Sequence, residues 1–230
     1  MRKSVFITGA GSGLGAAVAL ALAKNGWHLG LCGRKEAKLT QTAAQIDSFH
    51  TRSQIFALDV VNASALDVAV TDFKPTAVVC CAAILDQAPI HELTPERFAM
   101  TQAINVQGTF NVCRAAILAW RNLGVAGDIV VVSSLAGLRG QQKFPGFTAY
   151  SVSKHAITGL TESLAMEGRQ HNIRVNAIAP GAFDTPMSRS LGLKPKATAE
   201  MIVPTIQYLL DRQQSGLLNG TTLEIQCNDD

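Results

Sequence analysis

Short, almost unbroken apolar runs alternate with longer stretches of helical periodicity along the whole chain. Residues 3–8 (KSVFIT), 27–32 (WHLGLC), 54–58, 76–82 (TAVVCCA), 128–133 (DIVVVS), 173–179 (IRVNAIA) and 222–225 are the predicted strands. Helices are predicted at 14–24, closed by Asn25-Gly26, near 35–46, briefly before residue 76, and at 95–123, 148–169 and 199–210. The strands are continuous apolar runs, the pattern of a sheet covered on both faces. Alternation with right-handed crossovers makes this an α/β chain with a doubly wound parallel sheet of about seven strands and helices on both faces. No linker, repeat or low-complexity tract divides it, so residues 1–230 are expected to form a single domain.

Composition narrows the class. A chain of 230 residues, 47% hydrophobic and 16% charged, buries enough apolar surface to need no staple. A net charge of +3, with no cluster of Lys and Arg, argues against nucleic acid as a partner. Cys32, Cys80, Cys81, Cys113 and Cys227 form no C-x-x-C pair and have no histidine at zinc-ligand spacing, so no metal is expected. Their usage fits a reducing cytoplasm. The uncharged stretch 4–23 after Arg2 and Lys3 has the look of a signal peptide, but Gly9, Gly11, Gly13 and Gly15 interrupt it as a strand, turn and helix would. No targeting segment and no membrane span are expected.

The same glycines carry the first chemistry. Thr8-Gly9-Ala10-Gly11-Ser12-Gly13-Leu14-Gly15 joins a strand to a helix. Glycines there allow positive φ and close approach of a pyrophosphate, which the helix N-terminus attracts. The second strand ends Cys32-Gly33-Arg34-Lys35, without the acidic residue that accepts from the ribose hydroxyls of NAD. Arg34 and Lys35 would neutralise the 2′-phosphate of NADP, with Ser12 as a donor, so NADP(H) is favoured and NAD(H) is possible. Asp59, in Leu58-Asp59-Val60 after the third strand, would accept from the adenine amino group or cap the following helix.

Tyr150 and Lys154 stand at i and i+4, one helical turn apart on one face. A free Tyr titrates near pH ~10, and a nearby ammonium favours its phenolate, a suitable tuning for proton transfer. With the strand ending in Ser133-Ser134 and the glycine turn upstream, the chain resembles the short-chain dehydrogenase/reductase family, which has a Rossmann-type fold. The resemblance runs through Thr8, Gly9, Gly13 and Gly15, then Asn105-Val106-Gln107-Gly108, Ser134, Tyr150, Lys154, the run Asn176 to Gly181, and Thr185. It implies hydride transfer between a nicotinamide cofactor and a small carbonyl or alcohol, with Tyr150 giving or taking the proton. Lys154 would lower the Tyr pKa and hold the ribose, Ser134 would bind the substrate oxygen, and Asn105 would hold a water linking Lys154 to solvent. Val60, Ala82, Pro180, Gly181 and Thr185 would border the cofactor. A homodimer or homotetramer is implied, through the helices around 98–120 and 149–166.

The chain also departs from the family. Asn-Asn-Ala-Gly after the fourth strand is here Cys80-Cys81-Ala82-Ala83, and the usual C-terminal Asp-Gly-Gly is Gln226-Cys227-Asn228. Ser134 and Tyr150 are sixteen residues apart, a few more than usual, with the excess at 140–144. The substrate lid, expected at 186–197, is short. Leu85, Phe144, Phe147, Phe183, Met187 and Leu191 are candidate pocket residues. A catalytically weak NADP(H)-binding or sensing protein is the alternative reading.

Overall fold

The continuous apolar runs become parallel strands, largely buried in the middle of the sheet and partly exposed at its two edges, 53–57 and 222–225. A computed structural model describes residues 3–227, so Asn228 and the Arg2 of the apolar N-terminal stretch lie outside the described residues. β1 (Ser4–Thr8), β2 (His28–Gly33), β3 (Ser53–Ala57), β4 (Ala77–Cys80), β5 (Gly127–Val132), β6 (Ile173–Pro180) and β7 (Thr222–Ile225) form one sheet in the order β3-β2-β1-β4-β5-β6-β7. Every pairing among them is parallel. The order reverses between β1 and β4, and in such sheets ligands bind at the carboxyl ends of the strands beside that reversal.

α1 (Gly13–Lys24), α2 (Glu36–Asp47) and α8 (Ala199–Leu210) cover one face; α3 (Ala63–Phe73), α5 (Gly108–Leu123) and α6 (Thr148–Gly168) cover the other. Each face is an apolar layer. Ile7, Leu29, Leu31 and Val79 meet α1 and α8, whereas Phe6, Val78, Ile129 and Val131 meet Val112, Trp120 and Ile157. A side chain of this size contributes about 1.5–3 kcal/mol when fully buried, so strand polarity is dictated by what lies on both faces.

Three elements differ from the expected pattern. The helix predicted at 95–123 is broken by a wider π-turn, Ala103–Gln107, between α4 (Pro95–Gln102) and α5. Two short helices also form that no periodicity announces, α7 (Pro186–Ser190) and α9 (Arg212–Ser215). α7 lies in the segment 186–197, whose flanks are joined by a bridge between Asp184 and Thr198.

Asp128 and Arg174, at the N-terminal ends of β5 and β6, close the opposite pole of the sheet. Arg174 Nε donates to Asp128 Oδ1 at 2.7 Å and Arg212 Nε to Oδ2 at 2.8 Å. Arg174 also donates to the carbonyls of Ser215 and Leu209. Among the described residues no helix is long and apolar enough to cross a membrane, and no three His, Cys, Asp or Glu side chains gather as metal ligands.

Candidate active site

The carboxyl ends of the strands open into a cleft of about 970 Å³, bounded by the glycine turn, the ends of β2, β4 and β5, the start of α6 and the segment after β6. Its floor is kept clear by the absence of side chains. Gly9 and Gly13 take φ of +68° and +53°, and a Cβ on Gly9 would come within 3.0 Å of the Ala82 nitrogen. A side chain on Gly15 would collide with the Gly9 carbonyl. Ser12 begins α1 without capping it through its side chain, so the first-turn N–H groups of that helix have no protein side chain on them.

Ser12, Leu14, Arg34, Asp59, Val60, Ala82, Pro180, Gly181 and Thr185 all border the same cleft. Thr185 caps α7, accepting from the Ser188 N–H at 3.1 Å, and its methyl would lie 3.5 Å from a Cβ on Gly13. Cationic side chains collect where β2 ends: Arg34 and Lys35 are joined by Lys38, one turn into α2. Arg34 faces Asp59 at 3.9 Å. Asp59 accepts from the Val61 N–H at 3.2 Å, so it shapes the turn; the N-cap of α3 is Asn62, which accepts from Ala65 N–H at 3.1 Å. The helix-cap alternative for Asp59 is thereby corrected: three residues separate it from the helix it would have capped.

These residues fit a dinucleotide carrying phosphates: a side-chain-free floor, an open helix N-terminus and three cations. Farther along the cleft stand Ser134, Tyr150 and Lys154. The Ser134 hydroxyl hydrogen-bonds the Tyr150 phenol and pulls its pKa down, but burial outweighs this and pushes Tyr150 up to about 12. Burial also drives Lys154 down to about 8, an effect opposed by the neighbouring Cys81 and Cys80. The Lys154 ammonium donates to the Val132 carbonyl at 2.8 Å and lies 5.5 Å from the centre of the Tyr150 ring. The tuning expected from the i, i+4 spacing is therefore not what governs the phenol here. Its own desolvation does, because Lys154 points to the end of β5.

The frame behind this pair is hydrogen-bonded throughout. Asn105, buried in the π-turn, accepts from Ile84 N–H at 2.8 Å and donates to Ile84 O at 2.9 Å and to Ser153 Oγ at 3.0 Å. Ser153 in turn donates to the Tyr150 carbonyl at 2.7 Å. The Asn105 side-chain amide is thus committed to protein groups, while its backbone carbonyl accepts from Thr109 Oγ1 at 2.8 Å. Ser133 is no substitute for Ser134, since its hydroxyl is spent on the Lys154 carbonyl at 3.1 Å. Asn176 binds the backbone of Leu218 and Thr221, away from the cleft.

Ser153, Lys38 and Gly137 were not singled out from the sequence. Ser153 lies inside the Tyr150–Lys154 turn and Lys38 one turn beyond Arg34, so spacing would have found both. Gly137 had no signal. A Cβ there would lie 2.5 Å from the Lys154 carbonyl, a contact that only the tertiary fold creates. The altered Cys80-Cys81 pair divides: Cys80 is buried beside Cys113, with the sulfurs 4.0 Å apart, and Cys81 borders the cleft with its thiol pushed up to about 12 by burial. The candidate pocket residues Leu85, Phe144, Phe147, Phe183, Met187 and Leu191 all line the cleft.

A family model for short chain dehydrogenases matches residues 3–196. Among curated proteins, a (3R)-3-hydroxyacyl-CoA dehydrogenase from Homo sapiens is 30% identical over 95% of this chain and 92% of its own length. A glucose 1-dehydrogenase from Gluconobacter oxydans is 32% identical over 82% of this chain and 72% of its own. Among solved structures, a short chain dehydrogenase from Mycobacterium paratuberculosis bound to NAD superposes with a TM-score of 0.87 at 27% identity, covering 97% of this chain and 96% of that one.

Proposed function

The chain belongs to the short-chain dehydrogenase family, oxidoreductases acting on CH–OH and C=O groups, and on that premise we propose that it prefers NADP(H) and uses Tyr150 as the acid–base of the reaction. The observation that carries the reading is the convergence of Ser134, Tyr150 and Lys154 in the cleft that also holds the glycine turn. When bound, the nicotinamide supplies or receives the hydride. Ser134 and Tyr150 hold the substrate oxygen between two hydroxyls. In reduction Tyr150 donates its proton to that oxygen, and a phenol pushed up to about 12 retains this proton at neutral pH. Lys154 keeps a positive charge beside the phenolate left behind, and Asn105 anchors the turn that supports Tyr150 through Ser153.

The preference for NADP(H) rests on charge. The end of β2 lacks an acidic side chain, and Arg34, Lys35 and Lys38 line the same cleft as Ser12. Asp59 tempers Arg34, and the solved relative is NAD-bound, so the contribution of the lysines decides the balance. Exposed Phe110 and Leu118 on α5 and Val152 and Met166 on α6 support self-association as a dimer or tetramer. Five free cysteines support a reducing, cytoplasmic setting.

The test follows the consumption of NADPH and NADH with ketones, aldehydes and quinones. Tyr150→Phe is expected to lower kcat by roughly 10²–10⁴-fold while NADPH binding persists. Arg34→Ala combined with Lys38→Ala is expected to weaken NADPH far more than NADH. Tight NADPH binding without turnover of any substrate would favour the sensing protein instead, and equal loss of both cofactors would remove the basic residues from the choice.

A further inference from the structure

The extra residues between Ser134 and Tyr150 build a strap, 139–147, across the substrate half of the cleft, and its anchors decide what it presents. Lys143 turns its ammonium back onto the carbonyls of Ala136 and Leu138, at 3.1 and 2.6 Å. Gln141 donates to Glu224 at 2.8 Å, tying the strap to β7. On the other side Ala88 N–H donates to the Gly146 carbonyl at 3.0 Å, tying it to the loop after β4. The strap is thus fastened at both flanks. Lys143 is committed to the backbone just before the strap, Arg139 is exposed and does not line the cleft, and Glu224 is engaged by Gln141.

Beside the uncharged Gln141 and Gln142, the strap lines the cleft with Phe144, Pro145 and Phe147. Phe144 and Phe147 have ring centres 5.8 Å apart, and Phe147 meets the Tyr150 ring edge-on at 6.1 Å. Three rings therefore follow one another from the proposed proton donor, and Phe144, the last of them, keeps 46% of its surface exposed. Ile84 and Leu85 add apolar lining, and Lys194, in the 186–197 segment, also borders the cleft. Apolar surface of this kind gains by excluding water from an apolar ligand and recognises rings through edge and face contacts.

We propose that the strap selects an uncharged ketone or secondary alcohol whose carbonyl carbon carries a ring-sized apolar group, with Phe144 and Phe147 as specificity-determining contacts. The proposal rests on the reaction assigned above. With the substrate oxygen at Tyr150 and Ser134, a ring on the neighbouring carbon meets the edge of Phe147. A strap tied at both flanks offers a bounded chamber to such a ring, whereas a long acyl chain would have to leave over Phe144.

The experiment measures kcat/KM with NADPH for 1-tetralone, butanone, acetoacetate and a 3-oxoacyl N-acetylcysteamine thioester. Tetralone is expected to exceed the other three by about tenfold or more, the scale on which apolar pockets discriminate. Phe147→Ala and Phe144→Ala, checked for folding by circular dichroism, are each expected to cut the tetralone-to-butanone ratio about fivefold or more, with Phe147→Leu recovering part of it. A preference for acetoacetate that Lys194→Ala abolishes would overturn the proposal, as would a preference for the thioester or an unchanged ratio in both Ala variants. In those cases the hydride-transfer reading stands. If no carbonyl compound is reduced although NADPH binds, both readings fall.

Discussion

Lys154 is buried at a position where nothing local asks for a charge, and its ammonium is held by the Val132 carbonyl. Its pKa falls from 10.5 to about 8 by desolvation. Below pH 8 both folded and unfolded chains carry the proton, so the folded protein bears the whole burial penalty, about 3 kcal/mol from that shift. Between pH 8 and 10.5 the folded state sheds the proton while the unfolded state keeps it, and stability rises with pH. Lys154→Met is therefore expected to be inactive but more stable than the parent at pH 7, with a Tm advantage that shrinks across that window. A lower Tm at pH 7 would show that the Val132 bond outweighs the desolvation. Tyr150 and Lys154 were legible as a pair because i, i+4 spacing is a property of one helix. The direction of the Tyr150 shift was not. It depends on the walls of the cleft, which come from residues far away in the chain. For Asp59 the alternative of a helix cap fails for a similar reason: the helix begins farther along the chain than the sequence announces, and Asn62 caps it.

At the scale of elements, the seven strands and the main helices were legible to within a few residues, and 199–210 and 222–225 coincide with α8 and β7. Apolar periodicity and turn residues act over short distances, so the chain announces them. The π-turn was hidden inside an unbroken helical pattern, because what holds it open is the side chain of Asn105 on the backbone of Ile84, twenty-one positions away. Gly137 is the sharper case. The short 3₁₀ turn Leu135–Gly137 packs so closely on α6 that a Cβ at Gly137 would lie 2.5 Å from the Lys154 carbonyl and 2.7 Å from its Cβ. Gly137→Ala must push that turn and α6 apart, at a cost of about 1–3 kcal/mol. The move shifts Ser134 relative to Tyr150, so kcat is expected to drop about tenfold or more at temperatures where circular dichroism still reports a folded protein. Unchanged kcat with only a lower Tm would mean the displacement is absorbed elsewhere.

Across the whole molecule the two ends of the sheet have divided labour. The carboxyl end holds the cleft, with buried titratable groups and cleared glycines. The amino end is locked by Asp128 between Arg174 and Arg212, which joins β5 and β6 to the chain around α8 and α9. Removing the acid leaves Arg174 buried without its counter-charge, so Asp128→Ala is expected to cost about 3–5 kcal/mol and lower Tm by roughly 6–20 °C. A thermal melt showing less than a couple of degrees would assign that pole little weight. By itself the sequence determined the alternation of strands and helices, the side-chain-free turn before α1, and the order in which Asn105, Ser134, Tyr150 and Lys154 occur, since each rests on neighbours within a turn or two. Only the tertiary structure decided which way Lys154 points, that Asn105 is spent on Ile84 and Ser153, that Gly137 abuts Lys154, and that Phe144 and Phe147 of residues 139–147 line the cleft. Those outcomes depend on burial and on contacts between segments remote in the chain, and local periodicity carries no record of them.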